Sequence, residues 1–100
     1  MIARIWHGRT TNEKAAEYLQ FLRENAIPDY RATPGNVSAM VLQRHEADAT
    51  HFVTFSLWES FDAIRAFAGE DVEKARYYRE DNDFLLELEP GVVHYEAWDE

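Results

Sequence analysis

Four histidines are the side chains of this 100-residue chain whose ordinary pKa lies nearest neutrality, so they come first as candidates for proton transfer. His7 falls late in a first β-type segment and His94 early in the last. If those two segments are antiparallel neighbours, both histidines stand toward the same end of one sheet. There they could form a proton-transfer pair or half of a metal site, or simply be edge-of-core histidines bonded to backbone. No third ligand stands at a helpful spacing, so no metal is expected. His45 and His51 flank a short connection, Ala47-Asp48-Ala49-Thr50, and read as a solvated turn pair.

An aromatic and polar set is the other candidate. Trp6, Trp58, Phe67, Tyr77, Tyr78, Phe84 and Tyr95 could line a pocket between a sheet and its helices. Thr54, Ser56, Arg65, His94 and Glu96 could supply its polar groups. Such a pocket suits a flat, apolar ligand with a few polar substituents. In that reading Trp6, Trp58, Arg65, Phe67 and Tyr78 hold the substrate, with His94 or His7 as the base. Tyr77, Tyr78 or Arg65 would stabilise an oxyanion formed on it. The same aromatics could equally form a core and a dimer interface. The acidic run Glu80, Asp81 and Asp83 reads as solvated surface, as does Asp48. There is no Gly-x-Ser-x-Gly, no phosphate-binding glycine loop, and no metalloprotease or calcium-loop pattern; the chain has only four glycines.

Composition bounds the rest. The chain is 46% hydrophobic and 14% aromatic, far from a disordered profile, and its length suits one domain over residues 1–100. The formal net charge is −9 and no basic run occurs, so neither nucleic acid nor an anionic membrane surface is an expected partner. Cysteine is absent, which removes disulfides, thiolate metal sites and a cysteine nucleophile. No apolar run approaches membrane-spanning length, and a cytoplasmic location is expected.

The elements that must position these residues follow from periodicity. Met1 to Arg9 predicts a strand, and Thr10 with Glu13 a capping box opening a helix. Ala15, Leu19, Leu22 and Ala26 give that helix one apolar face, and it is expected to end before Pro28. A Pro34-Gly35-Asn36 turn leads to strands over residues 36–46 and 51–58. Ser60 caps a second helix whose stripe is Phe61, Ile64, Phe67 and Ala68, stopped at Gly69. Residues 71–78 read as irregular, 83–89 as a short helix and 92–98 as a last strand. The β-α-β-β-α-β order predicts an α+β fold: a ferredoxin-like, four-stranded antiparallel sheet with both helices on one face. The strands are apolar on both faces. Met40 and Leu42 oppose Ala39 and Val41, and Val53, Phe55 and Leu57 oppose Phe52 and Trp58. The uncovered face predicts a homodimer packed sheet against sheet.

Trp58-Glu59-Ser60, Ile64-Arg65-Ala66-Phe67, Asp71-Val72, Tyr77-Tyr78 and Val93-His94-Tyr95-Glu96 together resemble the antibiotic biosynthesis monooxygenase superfamily of dimeric α/β barrels. The resemblance spans nearly the whole chain in element order, most specifically at the strand-Trp-Glu-Ser-helix junction. It implies a homodimer with a ligand pocket in each subunit. It also implies a possible oxidation of a small aromatic or quinol-like compound by O2 without metal, flavin or other cofactor, or else a non-catalytic small-molecule-binding or stress-linked accessory role. Relatives that degrade haem use Asn, Trp and His. Gly8, Phe67 and Tyr77 stand at those places here, so haem degradation is not expected.

Overall fold

The computed structural model describes residues 1–99. Alternating side chains over Ile2–Thr10 form β1, whose even-numbered residues are mostly buried and whose odd-numbered ones are mostly half-buried. The expected Thr10–Glu13 capping box does not form. The strand continues through Thr10, which pairs with Thr50, and the buried Thr10 hydroxyl donates to the Thr11 carbonyl at 2.8 Å instead.

The helical run also departs from expectation, because Pro28 does not end it. A 3-10 turn at Asn12–Lys14 leads into α1, Ala15–Phe21, then a π turn, Leu22–Ala26, then α2, Ile27–Ala32. In the π turn the Ile27 N–H reaches back five residues to the Leu22 carbonyl. Pro28 then lies in the first turn of α2, where its missing N–H costs least. The π turn has a second effect. Tyr18, Leu22, Ala26 and Tyr30 are all buried although steps of four overshoot an α-helical turn by about 40° each. The wider turn absorbs that drift and keeps them on one face.

Asn36–His45 forms β2 and Thr50–Trp58 forms β3. Between α2 and β2 the Asn36 N–H bonds the Thr33 carbonyl at 3.1 Å, with Pro34 at the second turn position and Gly35 at φ +92°. Next comes α3, Phe61–Ala68, capped by the Ser60 hydroxyl, which accepts from the Ala63 N–H at 3.2 Å. Phe61, expected in the buried stripe, is 38% exposed and turns edge-on to His94. Gly69 stops the helix at φ +100°. Residues 70–80 are irregular. The expected short helix is one turn earlier than predicted, α4 at Asp81–Phe84. The last strand, β4, is only Val93–Glu96, and Trp98 beyond it is 87% exposed.

The sheet order is β2-β3-β1-β4, antiparallel throughout, as the element order predicts. One face carries Trp6, Phe52, Trp58 and Ala39 against Tyr18, Leu22, Ile27 and Tyr30 of the first helical run and Ile64 and Phe67 of α3. The other face carries Met40, Leu42, Val93 and Tyr95, each roughly half exposed, with Ile5, Val53, Phe55 and Leu57 half-buried among them. No helix of the described residues covers it, and none is long and apolar enough to cross a membrane.

Candidate functional site

A small cavity of about 20 Å³ lies between the covered sheet face and the first helical run. That is room for about one water. Trp6 and Thr54 form its floor, Tyr18, Leu22, Ala26 and Tyr30 its helical wall, and Arg76, Tyr78 and Asp81 its cover. The residue that sets its chemistry is Asp81, which is 2% exposed. Its Oδ1 accepts from the Tyr18 hydroxyl at 2.8 Å and its Oδ2 from the Tyr78 N–H at 2.6 Å. No Lys, Arg or His among the described residues comes within ion-pair distance of it. Burial pushes the Asp81 carboxyl above the usual carboxylate range, against the two hydrogen bonds, which favour the charged form. Burial also raises Tyr18 and Tyr78, so both phenols stay protonated donors at neutral pH.

The cover is tied down through Asp29. The Tyr78 hydroxyl donates to Asp29 Oδ2 at 2.7 Å and Arg76 pairs with the same oxygen at 2.9 Å. The Arg76 guanidinium lies over the Phe67 ring at 4.5 Å and the Tyr78 ring at 5.1 Å. Tyr30 stacks on Phe67 at 4.4 Å and hydrogen-bonds Thr54 at 2.7 Å. The Trp6 indole N–H, also buried, has no hydrogen-bond partner among the described residues.

The residues singled out in the sequence divide. Trp6, Thr54 and Tyr78 line the cavity. Trp58 and Phe67 are buried beside it, with the Trp58 indole donating to Ser56 at 2.9 Å. Tyr77 packs edge-on against Trp6 and bonds the Glu89 carbonyl. Arg65 is an exposed partner of Asp62, and Tyr95 is on the open sheet face. The expectation that His7 and His94 stand together at one end of the sheet is corrected by the register. His94 pairs with Arg4, so His7 is three residues further along β1 and, by the two-residue period, on the opposite face. His94 Nε2 faces Arg4 Nη1 at 3.0 Å, while burial and the Arg4 charge hold its pKa below the ordinary value.

Four important residues escaped the sequence reading. Asp81 stands in an acidic run that reads as solvated surface, and only its spacing of three from Tyr78, the turn its carboxylate closes, marks it out. Tyr18 and Tyr30 belong to the series Tyr18, Leu22, Ala26, Tyr30, a signal that the assumed stop before Pro28 hid. Arg4 sits on β1, is 1% exposed, and spans the Val72 and Lys74 carbonyls at 2.6 and 3.1 Å. It fastens the irregular segment over the sheet, with its Nε unpartnered among the described residues.

The model of the family described as antibiotic biosynthesis monooxygenase matches residues 1–75. The chain belongs to the antibiotic biosynthesis monooxygenase family. Asp81, Tyr77, Tyr78 and β4 lie beyond the matched part. No curated protein matches the chain. Among solved structures it is similar to the putative antibiotic biosynthesis monooxygenase from Nitrosomonas europaea, at 20% identity and TM-score 0.72, over 97% of this chain and 98% of that one. It is also similar to Rv0793 from Mycobacterium tuberculosis, at 20% identity and TM-score 0.64, over 100% of this chain and 98% of that one. At such identities the likeness is one of fold. Family membership leaves monooxygenase-like chemistry and small-molecule binding both open. Gly8 has a local reason in this fold: a Cβ there would stand 2.7 Å from the Trp6 ring and 2.9 Å from Leu85.

Proposed function

We propose that this family member binds a small aromatic phenol or quinol in the Asp81 cavity and promotes its oxidation by O2 without a bound cofactor. The observation that carries this reading is Asp81: a buried carboxylate with no cationic partner, held among tyrosines in an aromatic enclosure. Such a group, its pKa raised by burial, can accept a hydrogen bond from a phenol and draw off its proton as the ring is oxidised, and it faces apolar rings that suit a flat ligand. The phenolate is electron-rich and is the form O2 oxidises. For a phenol with a free para position, one oxygen atom enters the ring to give a quinone and the other leaves as water. The base in this reading is Asp81 rather than His94 or His7, because Asp81 shares the cavity with Trp6 and Tyr78. The protein works as a homodimer closed through its open sheet face, a reading supported by the half-exposed Met40, Leu42, Val93 and Tyr95.

A second reading is a non-catalytic binding module. It is favoured by the size of the cavity, which holds about one water and reaches neither His94 nor Tyr77. In both readings a ligand must lift the Arg76–Tyr78 cover off Asp29.

The test is a thermal-shift screen of phenols and hydroquinones, followed by oxygen consumption on metal-free protein. Oxygen uptake above background that falls at least about tenfold in Asp81→Asn supports the oxidase reading. Specific stabilisation without uptake supports the binding module. Neither effect across the panel overturns both.

A further inference from the structure

On the open face, away from the Asp81 cavity, two histidines meet side by side. His7 on β1 and His51 on β3 bring Nε2 and Nδ1 to 2.9 Å. Each ring is braced from behind by a carboxylate: Glu89 Oε2 is 2.5 Å from His7 Nδ1, and Glu46 Oε1 is 2.7 Å from His51 Nε2. An ionised carboxylate only accepts, so each outer nitrogen carries the ring proton and donates it. That leaves a lone pair on each of two inward nitrogens 2.9 Å apart. Bare, they would repel, so the pair holds either a shared proton or a cation.

We propose that the His7–His51 pair is a two-nitrogen site for a divalent transition-metal ion of the copper or nickel type. Metal-binding histidines characteristically donate their other N–H to a carboxylate, which fixes the tautomer and raises ligand basicity; both rings here are already so arranged. The separation fits as well. Ligands about 2.0 Å from a metal stand about 2.8 Å apart at a right angle and about 3.3 Å apart at a tetrahedral one, so 2.9 Å favours tetragonal coordination. Imidazole suits copper and nickel, and copper binds most tightly of the divalent series. Among the described residues no third His, Cys, Asp or Glu converges to complete a protein cage. The remaining positions therefore belong to water or to an outside ligand. In the single chain a hollow of about 240 Å³ lined by His7, His51, Leu42, Gln43, Arg44 and Val53 has space for them, and in the proposed dimer, whose seam includes Leu42, that hollow opens onto the subunit interface. The neighbouring charges offset one another: Arg9 is paired with Glu87, and Arg44 with Glu46, leaving Glu89 free of an arginine.

The experiment is equilibrium dialysis of the purified protein against copper(II), nickel(II) or zinc chloride at neutral pH, with electron paramagnetic resonance on the copper samples. The result expected is one tight copper ion per chain with two nitrogen couplings, and weaker nickel and zinc. His7→Gln and His51→Gln should each lose one nitrogen coupling and at least about tenfold in affinity. Glu89→Gln, which keeps an acceptor but loses the charge, should weaken binding roughly tenfold to a hundredfold. His45→Gln should change nothing. The proposal is overturned if wild type takes up no stoichiometric copper. It is overturned equally if the His7→Gln, His51→Gln double variant, shown folded by circular dichroism, binds as wild type does.

Discussion

His94 shows how much a single residue's surroundings decide. Its ring takes a hydrogen bond from a buried arginine, and both burial and that charge favour the neutral form. A histidine whose folded pKa is depressed contributes stability above its unfolded value and loses it as pH falls through the folded one. Stability should therefore drop as pH falls below the ordinary 6.5, and His94→Gln, which keeps an acceptor for Arg4 but cannot titrate, should flatten that part of the curve. Urea midpoints at a series of pH values measure it; identical slopes for the two proteins would refute it. Gly8 gives a second residue-scale expectation. Gly8→Ala forces the Trp6 ring or Leu85 to move and should cost about 1–3 kcal/mol, read from chemical denaturation. Neither effect was legible in the sequence, because each depends on which neighbour a strand register supplies. The same is true of Asp81, whose neighbours Glu80 and Asp83 are exposed acids while it is buried. Composition cannot separate three acids that differ only in direction.

At the scale of elements much more was readable, and for a physical reason: helix and strand periods are written directly into apolar spacing. Ser60 and Gly69 delimit α3 as their types require, and the hairpin and the glycine turn fall where predicted. Ser60→Ala removes the acceptor for the Ala63 N–H and should cost about 1 kcal/mol; an unchanged thermal midpoint would show the cap to be dispensable. The helix through Pro28 was misread because the proline rule assumes an unbroken α ladder. The π turn ahead of it rearranges the hydrogen bonds around the missing N–H, while Ile27 keeps helical angles (φ −62°, ψ −44°) before the proline, a local cost outweighed by the burial of Ile27 and Tyr30. The short β4 was also overextended, since Val92 to Trp98 is apolar enough for a strand but pairs with β1 only from Val93 to Glu96.

At the scale of the whole molecule, the described residues leave the open sheet face without a cover. If a second copy supplies it, replacing Met40 and Leu42 together by Asp should give a folded monomer, with sedimentation velocity reporting the loss of dimer. A wild-type monomer at all accessible concentrations would dispose of the dimer instead. The sheet order carries a further consequence. β1 precedes the other described strands in the chain, yet it lies inside the sheet and meets Glu96 through Ile2. One of its edges must wait for synthesis to reach Val93–Glu96 before its partner exists. Folding dominated by such distant pairings is slow. During translation, at about 5–20 residues per second, the nascent chain must carry an unpaired strand edge for seconds. Truncation just before Val93, which removes β4, should therefore yield aggregation-prone product rather than a slightly shortened native protein.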